Sequence, residues 1–257
     1  MSGSEGKRIV AITARDRSLL ELLVLFRVVD RNQASQLAGF KSLGVANKRL
    51  LKLVRAGLLK RFFMPTTTGG VGALYTLSTK AIQLIGTNVR PLQRKSDSLL
   101  TTDLFAVHQL AINSVLLKAK QPNQKAEAVR LLTFRLPLSK SIPLVPDAYF
   151  ELSTPSGVYP MFLEVDLGNE SLKILEKKAL QYIGLATSGE YQRLFKNLRF
   201  RVLLVVSSER RMGSMRRMIL QHTNKLFWFS TLNAINSEGL FAPIWLRPER
   251  EERQPLL

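Results

Sequence analysis

The 257-residue chain has no cysteine and only 2 histidines. The first absence excludes disulfides and thiolate metal sites, and it suits a reducing compartment. The second leaves no zinc motif, because His108 and His222 stand far apart in the sequence. Long apolar runs are missing too. LLELLVLF and VLLVV fall well short of the roughly 18–20 residues that span a bilayer, and the opening MSGSEGKRIV lacks the apolar core of a signal peptide. The expectation is a cytoplasmic protein without a membrane partner. Gly168 has no GxGxxG or P-loop surroundings, so the sequence gives no support to nucleotide binding.

Acid is the remaining shortage. Asp and Glu number 19 against 38 Lys and Arg, a formal charge of +19. Such an excess is suited to attracting a polyanion. It is unevenly spread: residues 1–95 hold 17 basic and 4 acidic residues, whereas residues 96–257 hold 21 and 15. The first third carries most of the field. A hydrophobic share of 46% is enough to build cores, and the length suits two modest domains.

In that first third, Leu19, Leu22, Leu23, Phe26 and Val29 follow helical spacing and predict a helix over 18–29. QASQLAGF predicts a short second helix ended by Gly39. SLGVANKRLLKLVRAG predicts a third, capped by Ser42 and closed near Gly57, with Val45, Leu50, Leu53 and Val54 turned to the core. LLKRFFM and ALYTL read as strands on either side of the turn-rich PTTTGGVG, and STKAIQLIG as another Ser-capped helix. Three helices followed by a hairpin are the order of a winged helix-turn-helix, a double-stranded-DNA-binding arrangement. Lys41, Ser42, Asn47, Lys48 and Lys52 on the third helix, with Arg55 and Lys60 further out, are the candidate DNA contacts. A solvated basic helix face is the alternative, and winged folds also dock proteins.

Residues 87–98, TNVRPLQRKSDS, read as an exposed connection. They divide the chain into residues 1–90, a linker at 91–100, an α/β domain at 101–246 and a flexible tail at 247–257. The α/β domain is expected to run helix (102–118), strands (129–136, 148–152 and 159–165), helix (171–186), strand (200–206), helix (210–222) and strand (226–229). TPSG is a tight turn that makes the second and third strands a hairpin. Counting from it, Asp147 and Glu164 come to the same sheet edge, and Asp166 shares the face of Glu164. Carboxylates gathered in this way repel one another unless a hard divalent cation, Mg²⁺ or Mn²⁺, lies between them. The alternative is turn chemistry, with Asp147 at the strand start and Asp166, Gly168 and Asn169 leading to a helix capped by Asn169 or Ser171.

Pro146-Asp147 and Glu164-Val165 within helix, three strands, helix and strand resemble the PD-(D/E)xK nuclease superfamily, over roughly residues 100–230. The resemblance implies a metal on Asp147 and Glu164, with a Lys two residues beyond the Glu. Asp166 stands at that place. In some members the Lys moves to the following helix, where Lys178 and Tyr182 share a face at i and i+4; Lys178 is the candidate catalytic lysine and Lys177 the reserve. The N-terminal helices, PDAYFEL, EVDLGNES and the helix with KK and Tyr together resemble the replication-relaxation family of plasmids and mobile elements. That resemblance implies a DNA-acting protein of replication or transfer, with either a homodimer or a replication or transfer protein as partner.

The fold class expected is therefore α/β: an N-terminal winged helix-turn-helix plus a C-terminal mixed-sheet domain like a restriction endonuclease. Two functions follow: a Mg²⁺-dependent nuclease or nickase, or a non-catalytic DNA-binding regulator or replication accessory. Glu151 shares the face of Asp147 by parity; His108 reads as a satisfied helix histidine and His222 as a helix-end residue. Arg210, Arg211, Arg216 and Arg217 read as either a second phosphate-contacting face or a solvated helix end. Trp228 and Phe229 read as core, and RPEREERQPLL as disordered.

Overall fold

The computed structural model describes residues 11–65, 70–92, 99–121, 127–134 and 136–257, without the side chains of 99–102. Two compact units meet in sequence at Asn113 and Ser114. Both mix helices and strands, the second around a five-stranded mixed sheet.

In the first unit, α1 (Ala14–Phe26) opens on a capping box in which Thr13 accepts from the backbone of Asp16 and Asp16 accepts from that of Thr13. The helix therefore begins before residue 18. It also ends before Val29: Arg27 turns at φ 59°, and the β-branched Val28 and Val29 enter β1 (Val28–Asp30), which pairs with β3 (Val71–Leu77). Asp30 caps α2 (Arg31–Ala38), and Gly39 ends it in the left-handed region at φ 60°. Ser42 Oγ accepts from Val45 N–H to start α3 (Leu43–Arg55), whose end is closed by Gly57 at φ 71° and a Leu58 N–H to Leu53 carbonyl bond. Ala46, Leu50 and Leu53 face the core. Val45 does not: it is 47% exposed in the first turn, and Ala46 takes the inward place. β2 (Leu59–Pro65) and β3 form the predicted hairpin, with Leu59 opposite Leu77 and Pro65 opposite Val71. The tip at 66–69 lies outside the described residues. Ser78 caps α4 (Thr79–Leu84).

Most of the predicted linker, 93–98, also lies outside the described residues. The helix after it, α5 (Leu99–Lys120), crosses the division between the units. Its first part belongs to the N-terminal unit, because Asn113 Nδ2 donates to the carbonyls of Phe26 (3.1 Å) and Val28 (2.6 Å) and Gln33 Nε2 donates to Leu110 O at 2.9 Å. The bond to Phe26 satisfies a carbonyl that α1 leaves open at its end.

The second unit is built on β4 (Ala128–Leu132), β5 (Ala148–Thr154), β6 (Gly157–Asp166), β7 (Arg201–Val206) and β8 (Phe227–Thr231), side by side in chain order. The first three are antiparallel; β6, β7 and β8 are parallel. Thr154 pairs with Gly157, so the turn residues are Pro155 and Ser156. The parallel pairs require crossovers. These are α6 (Leu172–Thr187, capped by Ser171) with α7 (Glu190–Phe195), then α8 (Glu209–Leu220, capped by Ser208). α9 (Leu232–Glu238) follows β8. Tyr149, Phe162, Tyr182, Tyr191, Phe200 and Phe227 form one buried aromatic core, each worth about 1.5–3 kcal/mol of apolar burial. Phe229 is fully buried and Trp228 nearly so, as expected for core.

α7 and α9 are absent from the sequence reading, because helices of 6 and 7 residues are too short to show a period. The C-terminal tail, polar enough to suggest disorder, packs instead: Gln254 bridges Trp245, Leu256 is 1% exposed, and Glu251 pairs with the buried Arg216. Among the described residues no helix is long and apolar enough to cross a membrane.

Candidate functional site

The β5–β6 hairpin sets the geometry of the carboxylates. Ala148 pairs with Leu163, so Asp147, one residue earlier, stands opposite Glu164. Asp147 Oδ2 accepts from Val165 N–H at 2.7 Å, which ties it to the partner strand. Glu164 points into the core side of the sheet and is 4% exposed. There α6 meets it twice, because Lys178 and Tyr182 lie one turn apart on the same helix face. Tyr182 Oη donates to Glu164 Oε1 at 2.6 Å, and Lys178 Nζ stands 3.4 Å from Glu164 Oε2. Lys178 Nζ also donates to Glu170 Oε1 at 3.0 Å. Of the two lysines it is Lys178 that reaches Glu164, and Lys177 is exposed.

Electrostatics at this cluster are unusual. Burial, together with the nearby charge of Asp147, pushes the Glu164 carboxyl up to about 8, against the opposing influence of Lys178 and Tyr182. Burial works against the Lys178 ammonium, but the charges of Glu164 and Glu170 outweigh it and raise its pKa. Burial also raises the Tyr182 hydroxyl far above its ordinary value, so it stays protonated and donates to Glu164. The cluster thus holds a proton donor, a fixed ammonium and a carboxyl that ionises near neutrality.

Asp166 does not join it. Its carboxylate accepts from Gly168 N–H at 3.0 Å and forms a buried ion pair with Arg211, whose guanidinium also reaches the carbonyl of Glu170. The parity that puts Asp166 on the face of Glu164 is correct, but the parallel β7 brings the start of α8 against it. Among the described residues no three His, Asp or Glu side chains gather as a metal-holding group. Glu151 is likewise occupied, by Tyr149 Oη at 2.7 Å and Arg130 at 2.9 Å.

The predicted basic face of α8 is split by packing. Arg211 is held by Asp166, and Arg216 by the carbonyls of Arg247 and Arg250 and by Glu251; Arg210 and Arg217 remain exposed. His222 follows α8 and bonds Glu176 at 2.8 Å, and His108 is half-buried on α5.

In the first unit, Lys41, Lys48, Lys52 and Arg55 are exposed on or just before α3, Lys60 is exposed on β2, and Asn47 is half-buried. Ser42 spends its hydroxyl on the cap. Arg49, which the sequence reading passed over, turns inward to the fully buried Asp16 and bonds Ala11 O at 2.7 Å.

The replication-relaxation family model matches residues 20–198, well over half of the chain. The chain therefore belongs to the replication-relaxation family, and membership points to a role in the replication or relaxation of plasmid or mobile-element DNA. No curated protein and no solved structure matches it.

Proposed function

We propose that this protein binds duplex DNA through its N-terminal unit and cuts or nicks DNA at the Asp147–Glu164 cluster. The N-terminal order of three helices and a hairpin supports a winged helix-turn-helix, with α3 as the helix that enters the major groove. Lys41, Lys48, Lys52, Arg55 and Lys60 reach phosphates, while Ser42 and Asn47 lie at its leading end. Among the described residues none of these five cations is engaged by a carboxylate.

The observation that carries the catalytic reading is the meeting of Asp147, Glu164, Lys178 and Tyr182 on an α/β core with the element order of PD-(D/E)xK nucleases. The donor set fits Mg²⁺ or Mn²⁺: two carboxylates face each other across adjacent strands, and burial, with the charge of Asp147, raises the pKa of Glu164. Asp147 and Glu164 would hold the ion, which supplies Lewis-acid polarisation of a phosphodiester and a more acidic bound water. Lys178 places a positive charge where negative charge develops on the phosphate. Tyr182 fixes the Glu164 carboxyl by its hydrogen bond.

A second reading is favoured by Asp166. Its pairing with Arg211, and the ammonium already at 3.4 Å from Glu164, suit a non-catalytic DNA-binding accessory in which cations of the chain itself neutralise the cluster. Calorimetric titration with Mg²⁺ and Mn²⁺ separates the two. Binding that strengthens with pH and releases a proton at pH 7, and is lost in Asp147→Asn, supports the first; no metal binding supports the second.

A further inference from the structure

A groove of about 1240 Å³ opens where β6, β7 and β8 begin, at the opposite end of these strands from Glu164 and Asp166. Lys196, Arg199, Arg201, Lys225 and Arg247 line it, and no carboxylate does. Among the described residues none of the five is in an ion pair. Arg201 and Arg247 both lie over the ring of Trp228, at 4.8 and 4.7 Å from its centroid, and Arg201 lies 5.0 Å from that of Tyr159. Burial, and for Arg201 the charge of Arg247, lowers the pKa of both guanidiniums. The Nε of Arg247 is buried with no hydrogen-bond partner.

Gathering like charges in a half-buried place is costly unless an anion relieves it. Of the chain's own acids Glu249 acts on Arg247, against the net lowering of its pKa, but among the described residues it forms no ion pair with it. The two aromatic rings pre-orient the guanidiniums, which leaves less side-chain freedom to lose when a ligand arrives. Lys196 and Leu226, both lining the groove, hold positive φ of 59° and 71°, backbone conformations that side chains adopt at a cost and that cluster at working sites. Beside the cations stand apolar side chains open to solvent, Leu198 at 78% and Val158 at 51% exposure. A concave channel with cations for a backbone and apolar or aromatic surface for bases is how single strands are held.

We infer that this groove binds single-stranded nucleic acid, with phosphates on the five cations and bases against Leu198, Val158 and Tyr159. It neither uses α3 nor rests on the carboxylate cluster. The groove would hold a strand displaced from the duplex while the N-terminal unit holds the duplex itself.

The test uses the full chain and a fluorescent oligothymidylate of about 20 nucleotides, longer than one binding groove covers. Anisotropy titrations compare the parent with Lys196→Gln/Arg199→Gln/Lys225→Gln, three exposed positions, and with Lys48→Gln/Lys52→Gln on α3. The groove variant should bind the single strand at least tenfold more weakly, with a salt slope shallower by about 2, and should keep duplex affinity. The α3 variant should show the reverse, so failure of the groove and failure of the duplex-binding reading are told apart. Unchanged single-strand affinity in the groove variant overturns the inference. So does equal loss for single strand and duplex, or a groove-dependent response to polyglutamate alone, which would mark an acidic protein partner.

Discussion

Lys178 Nζ stands 3.4 Å from Glu164 Oε2 and 3.0 Å from Glu170 Oε1, so one ammonium on α6 bridges the end of β6 and the loop that follows it. Because Glu164 is 4% exposed and also faces Asp147, this bridge is the main local source of positive charge for a buried acid. Replacing Lys178 with Met should leave two carboxylates facing each other. We expect a loss of about 1–3 kcal/mol at pH 8, discounted because Lys178 is 30% exposed, and a much smaller loss at pH 5. Urea unfolding at the two pH values measures it; an equal loss at both would contradict the role given to the ammonium.

Glu164 gives a pH dependence of its own. Its folded pKa, about 8, lies above the ordinary value of 4.5, so between these limits the folded protein holds a proton that the unfolded chain has released. Stability from this group is full below the lower value and falls as pH rises through the window. Glu164→Gln should flatten the profile and be more stable than the parent above pH 8, by an amount on the order of a few kcal/mol. Thermal melts from pH 5 to 9 read the difference. Identical profiles for the two proteins would refute the raised pKa.

Asp16 shows the opposite sign. Its burial would raise the pKa, but bonds from Arg49 and Thr13 prevail and hold it below its ordinary value. The stabilisation is therefore present above the unfolded pKa and is lost as pH falls through the folded one. Arg49→Met should cost about 2–4 kcal/mol at pH 7, since it strands a fully buried carboxylate, and markedly less near pH 3. Chemical denaturation followed by helix content at both pH values checks it.

These pairs also show what the sequence made legible. The meeting of Asp147 with Glu164 followed from counting outward from one turn, because a two-residue hairpin loop fixes register. Lys178 with Tyr182 followed from helical spacing. Arg211 with Asp166 and Arg49 with Asp16 did not follow, since they join elements 45 and 33 residues apart, and only the packing of those elements brings them together. The same distance hid the tail: its charges read as solvated, whereas Glu251 and Arg253 pair with Arg216 and Glu209 on α8. β1 was hidden inside a helical period that Arg27 interrupts.

The tail supplies a further test. Leu256 is 1% exposed at the very end of the chain. Leu256→Ala should cost about 2–3 kcal/mol and lower the melting temperature by roughly 5–10 °C. A shift below about 1 °C would show that the segment around Leu256 does not pack in solution.

Binding by α3 has a quantitative signature. Lys48→Ala/Lys52→Ala should weaken duplex affinity about tenfold or more and reduce the salt slope by about 2, independent of DNA sequence. Filter binding or anisotropy at several salt concentrations measures this, and an unchanged slope would remove α3 from the DNA interface.

Cleavage at the Asp147–Glu164 cluster is tested by incubating the purified protein with supercoiled plasmid in Mg²⁺, Mn²⁺ or EDTA, beside Asp147→Ala and Glu164→Ala. Metal-dependent nicking or cutting by the parent and none by either variant is expected, with duplex binding intact in all three. Retained DNA binding without cleavage under any metal, or cleavage that survives both substitutions, would contradict it.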